Sequence, residues 1–176
     1  VLADGSENLQ ALRALDRLYL GQSEFRELAD NLQRQLELAS DPAEKVALLC
    51  RLGALREQRL REPGAAVDSY RRVLELEPEH AETISALNRI LPDANYELQV
   101  AELLEPVYRG RGDYAPLVAV QEVIARHAST PEQKIAMLSQ IAEAYEIGLD
   151  DPERAYDALG RALREDPLQP EVQGGI

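Results

Sequence analysis

The chain has 176 residues, 45% of them hydrophobic and 29% charged, with one cysteine and a formal net charge of −13 from 19 basic and 32 acidic residues. The apolar share suffices for a buried core, but no run approaches the ~20 residues of a membrane span. The lone Cys50 can form neither an internal disulfide nor a multi-cysteine metal site, and the acid excess repels nucleic-acid phosphate.

In chain order, apolar residues recur at helical spacing. Leu12, Leu15, Leu18 and Tyr19 predict a first helix near 7–20, ended by Gly21, and Leu28, Leu32, Leu36 and Ala39 a second near 23–39. Asp41-Pro42 is a start signal, a side-chain cap before a proline, and Glu44 is placed to close a capping box. It opens a helix over 43–60 carrying Leu48, Leu49, Leu52, Leu55 and Leu60. Pro63 opens the next, over 63–76, carrying Ala66, Val67, Tyr70, Val73 and Leu74 and ended by Pro78. A fifth follows near 81–91 around Ile84, Leu87, Ile90 and Leu91. Further helices are expected near 95–109, kinked at Pro106 and broken by Gly110 and Gly112, and near 113–128. Thr130-Pro131 with Gln133 repeats the capping box before 131–148, and Asp151-Pro152 starts the last helix, 152–165, which Pro167 ends.

The chain also repeats itself. Shifted by 89 residues, Pro42 to Glu82 lies on Pro131 to Glu171 without a gap, and thirteen of the 41 pairs are identical, among them Leu49/Leu138, Glu57/Glu146, Ala66/Ala155 and Arg72/Arg161. The register extends backwards through Leu15/Leu104, Tyr19/Tyr108, Phe25/Tyr114 and Leu28/Leu117. A fixed period of this kind marks a repeat architecture. The organisation expected is one repeat domain over 1–176, in two units of about 1–89 and 90–176. Val1 in place of a methionine, the closing Gly174-Gly175 and a shift of 72 that lays Val1-Leu2 on Val73-Leu74 lead to the expectation of an excerpt from a longer array, with Val1 the tail of a preceding helix.

Leu49, Leu52, Gly53, Ala66, Tyr70, Val73 and Pro78, and again Leu138, Ile141, Ala142, Tyr145, Ala155, Leu159, Ala162 and Pro167, resemble the tetratricopeptide repeat (TPR) family. The departures are one extra residue between the paired helices and Arg56 in place of an aromatic. The resemblance implies an all-α, right-handed α-solenoid of tandem antiparallel hairpins, about nine helices in all. The small residues would then mark close helix crossings.

Candidate chemistry is sparse. His80 and His127 lie far apart in sequence and neither neighbours Cys50; His80 reads as solvated and Cys50 as a packed residue of an apolar helix. Arg111-Gly112-Asp113 falls where two helices must turn, and Asp150, Asp151 and Glu153 lack the spacing of a calcium loop. No enzymatic role, cofactor or metal is expected. The resemblance instead implies a concave surface lined by Arg13, Arg17, Cys50, Ala54, Gln58, Ser139, Glu143 and Glu146. It would take a protein or peptide partner, with a basic one favoured by the acid excess, and neither nucleic acid nor membrane. Arg13 and Arg17, one turn apart, could grip an acidic group. The competing expectations are a structural spacer and an accessory repeat of an enzyme whose catalytic residues lie elsewhere. One cysteine suits cytoplasm or periplasm, the former slightly favoured.

Overall fold

The computed structural model describes residues 2–165, and the chain divides into two compact units, Val1–Ile90 and Leu91–Ile176. The first holds α1 (Leu2–Gln22), α2 (Phe25–Leu38), α3 (Pro42–Leu55), α4 (Pro63–Leu76) and α5 (Ala81–Ile90). The second holds α6 (Glu97–Arg111), α7 (Tyr114–Arg126), α8 (Pro131–Glu143) and α9 (Pro152–Glu165). No strand occurs among the described residues. Within each unit every helix packs on its neighbours in sequence, and the connections of a few residues enforce hairpins. Among the described residues the fold is all-α, a succession of helix hairpins. Pro167, Glu171 and Gly174-Gly175 lie outside the described residues.

The 89-residue period is written into the backbone. Among the described residues, the left-handed positions are Ser23 (φ 60°) and Gly112 (φ 68°), then Arg61 (φ 59°) and Asp150 (φ 51°). Each pair is one period apart, and each residue sits where a helix must stop and reverse. The closing bonds repeat too: Glu24 N donates to Tyr19 O at 2.9 Å and Asp113 N to Tyr108 O at 3.0 Å. The extra residue between paired helices is absorbed by a single π-helical turn, over Arg56–Leu60 after α3 and Ala144–Gly148 after α8. It is locked by Glu62 N to Arg56 O and Asp151 N to Tyr145 O, both 2.9 Å. An inserted residue widens the turn locally without breaking the helix.

The predicted seams are buried. Leu49 and Leu138 are 1% and 0% exposed, and a buried leucine contributes roughly 1.5–3 kcal/mol. Gly53, Ala66, Ala142, Ala155 and Ala162 are all buried. A Cβ on Gly53 would overlap the Tyr70 ring, which explains why that crossing carries a glycine.

Several local expectations are corrected. Helix α1 opens at Leu2 and not near residue 7; Val1, expected as the tail of a preceding helix, lies outside the described residues. Gly21 and Gly110 are inside α1 and α6, and the reversals fall two residues later, at Ser23 and Gly112. Leu18 is exposed and Asp16 is buried in its stead, because the inward stripe of α1 runs through 12 and 16. The caps form as expected, Asp41 accepting from Glu44 N at 3.1 Å and Thr130 from Gln133 N at 3.3 Å. The reciprocal halves of the boxes differ: the Glu44 carboxylate turns to Arg13, and Gln133 Oε1 accepts from Ser129 N, one residue before the cap. Pro106 lies within an unbroken α6.

Candidate functional site

Arg13 and Arg17 lie on the exposed side of α1 and share a recess of about 360 Å³ with Asp16, Gln35, Glu44 and Arg51. Its floor is a buried polar network. Asp16 Oδ1 accepts from Asn31 Nδ2 at 2.6 Å and from Gln35 Nε2 at 2.8 Å, while Oδ2 takes Arg51 Nη2 at 2.8 Å. A buried carboxylate demands such donors. Arg13 is bound to Glu44, so the two arginines are not equivalent: Arg13 ties α1 to α3, and Arg17 stands at the rim.

Cys50, Ala54 and Gln58, spaced one turn apart on α3 and its π-turn, line one wall of an open cavity of about 420 Å³. Tyr70, Thr83, Ala86 and Arg89 line the rest, with Glu82 beside them. Here the histidine expectation is overturned. His80 is half-buried, its Nδ1 accepts from Thr83 N at 3.2 Å, and its Nε2 lies 3.8 Å from Cys50 Sγ. It caps the start of α5 and covers the thiol. Burial pushes the Cys50 thiol up from its ordinary pKa, with Glu82 and Glu77 adding to the shift against a lowering hydrogen bond from Thr83. It is therefore a protonated, weakly nucleophilic group at neutral pH. Deeper in the same wall, Glu57 accepts from the Tyr70 hydroxyl at 2.8 Å and from Arg89 Nε and Nη2, both at 3.1 Å. Burial, then the hydrogen bond to that carboxylate, drives the Tyr70 pKa well up.

In the second unit the predicted residues separate. Ser139 donates to Ile135 O at 3.0 Å within its own helix, where it is half-buried. Glu143 lines a recess of about 150 Å³ with Arg109, Gln121 and Gln140. Glu146 is exposed and is not among the residues lining that recess; Ile147 is. The reason is register: one period beyond Gln58 stands Ile147, whereas Glu146 corresponds to Glu57. Arg109 binds Glu105 and donates to Gln140 Oε1 at 2.6 Å. His127 meets Glu97 at 2.7 Å, and this hydrogen bond is the main cause that holds the Glu97 carboxyl below its ordinary pKa.

Sequence reasoning missed Asp16, Arg51, Tyr70, Thr83 and Arg89. Only Asp16 left a signal, as an acid on the apolar stripe of α1; the others come from helices brought together by packing. Among the described residues no group of three or more His, Cys, Asp or Glu is arranged to hold a metal ion, and no helix is long and apolar enough to cross a membrane.

No protein-family model matches the chain, and no curated protein matches it. Among solved structures it is similar to the MamA protein, at 19% identity and a TM-score of 0.39 over 92% of this chain and 93% of that one. A MamA RS-1 ArsTM double mutant gives 19% and 0.39 over 94% and 79%. A Podosopora anserina protein of kinesin-light-chain type, with nearly identical TPR-like repeats, gives 18% and 0.40 over 95% and 90%.

Proposed function

We propose that the chain is a non-catalytic interaction scaffold that takes a peptide or protein segment against the exposed faces of its first helices, without a cofactor. The supporting observation is the cavity of about 420 Å³ beside Cys50, Ala54 and Gln58. Its walls are largely apolar, Arg89 is already matched by Glu57, and the carboxylate of Glu82 remains on its lining. Such a recess suits an apolar side chain in a basic sequence context, and with a chain charge of −13 the association weakens as salt rises. Arg17, beside the Arg13–Glu44 pair, forms a second contact region for an acidic group.

The test is selection from a displayed random-peptide library against the whole chain, followed by affinity measurement on synthetic peptides. Enrichment of basic peptides, with at least ~10-fold loss on Ala54→Arg (about 1.4 kcal/mol), supports the groove. Loss only on charge reversal of Arg13 and Arg17 moves the site to α1. Failure to enrich any peptide overturns the scaffold reading in favour of a spacer or an accessory module of an enzyme, a role consistent with Arg13 and Arg51 being bonded internally.

A further inference from the structure

We infer that the recess beside Gln121 in the second unit accepts a lysine side chain, a specificity subsite that rests on the scaffold reading above. The recess has a twin. A cavity of about 250 Å³ in the first unit is lined by residues one period earlier. Phe25 stands for Tyr114, Leu28 for Leu117 and Leu32 for Gln121; Arg51 stands for Gln140, Ala54 for Glu143 and Gln58 for Ile147. A hollow that recurs at the same repeat positions is made by the backbone, where a first helix ends, its partner begins and the next first helix widens into its π-turn.

The chemistry of the twins is opposed. The first-unit hollow is apolar at its base, where Leu32 is 1% exposed, and carries Arg51 and Arg59. The second places Gln121 at that base, 0% exposed, and the Gln121 Oε1 accepts no hydrogen bond from the protein. A buried carbonyl without a donor is disfavoured, and a leucine at this position would carry no such penalty. The Arg109 charge is matched by Glu105, which leaves the Glu143 carboxylate as the uncompensated charge of the lining. Tyr114, Leu117 and Ile147, the last 69% exposed, supply an apolar flank. A lysine satisfies all three features: a four-carbon stem for the flank, and three rotatable donors on a compact cation for one carbonyl and one carboxylate. Arginine's planar fork is best matched by paired acceptors in one plane, which one carbonyl and one separate carboxylate do not present.

The experiment uses the whole isotope-labelled chain and two probes, N-acetyl-lysine methylamide and its uncharged isostere N-acetyl-norleucine methylamide, followed by NMR titration. The lysine probe is expected to shift the Gln121 side-chain amide and the Ile147 methyls, with the norleucine probe at least ~10-fold weaker. Gln121→Leu and Glu143→Ala, which import the twin's residues, should each weaken the lysine response several-fold while leaving the remaining spectrum unchanged. Absence of these shifts, equal response to norleucine, or equal response around Leu32 would overturn the subsite. Peptide enrichment without a lysine response at Gln121 removes the subsite and leaves the scaffold; a lysine response without peptide enrichment does the reverse.

Discussion

The two units share one backbone plan and fill it with different side chains, and the substitutions come in compensating sets. Where the first unit crosses α3 and α4 with Gly53 under the Tyr70 ring, the second has Ala142 and Leu159, a larger residue against a smaller one. Where Arg59 lies over the Phe25 ring at 5.4 Å, the second unit presents Gly148 to the Tyr114 ring so closely that a Cβ would overlap it. Arg56 reaches across to Ser69 Oγ at 2.9 Å and Ala65 O at 3.3 Å; its counterpart Tyr145 instead receives the Arg154 guanidinium 5.7 Å from its ring centre. The charge has moved from one helix to the other across the same contact. Backbone geometry is therefore set by the repeat, and packing is set pair by pair, because a close-packed interior constrains summed volume more tightly than either partner.

The sharpest way to break the comparison is Gly148→Ala. The new methyl meets the base of the Tyr114 ring, which cannot swing clear, and the expected loss is about 3 kcal/mol in urea unfolding. Arg59→Ala, at the equivalent position, should cost less than ~1 kcal/mol, the worth of an exposed cation–π contact. Asp16→Ala strands the buried Gln35 amide, leaves Asn31 Nδ2 only the Leu12 carbonyl and should cost about 3 kcal/mol. Glu105→Ala, whose partner Arg109 is half-exposed, should cost about 1 kcal/mol; equal losses would dissolve the distinction. Hydrogen exchange should place each loss in its own unit, since repeat arrays can unfold in parts.

Gly53→Ala should cost about 2 kcal/mol by overpacking, and adding Tyr70→Leu, which copies the second unit, should recover about 1 kcal/mol of it. Strict additivity in that double-mutant cycle would show that volume compensation is not what couples the pair. Gln121→Leu, which copies Leu32, should stabilise the chain by about 1 kcal/mol in thermal and urea unfolding.

The smallest effect is on pH dependence. A tyrosine whose folded pKa is raised stabilises the protein fully below its unfolded pKa of about 10, and that contribution is lost as pH rises from there towards the folded value. Stability should therefore fall above pH ~10, and Tyr70→Phe should flatten that slope measurably while leaving its neutral-pH stability lower by the lost bond to Glu57. Leu159 gives the second unit no such term. An unchanged alkaline slope in the variant would assign the loss to other groups.

What the amino-acid order determined by itself was everything carried by short-range rules: helix identity from apolar spacing, starts from Asp41-Pro42 and Thr130-Pro131, the 89-residue period, and the small residues at crossings. Even the extra residue per hairpin was visible, though not that it would become a π-turn. Only the tertiary structure decided which side chains meet across helices. Cys50 and His80, thirty residues apart, lie side by side; Asp16 gathers donors from α2 and α3; Ile147 rather than Glu146 lines the recess. These outcomes depend on how far each helix is rotated about its axis when it packs. One residue of π-turn advances that rotation by about 100°, so a pattern that names the helix with ease leaves open which of its faces looks into a cavity.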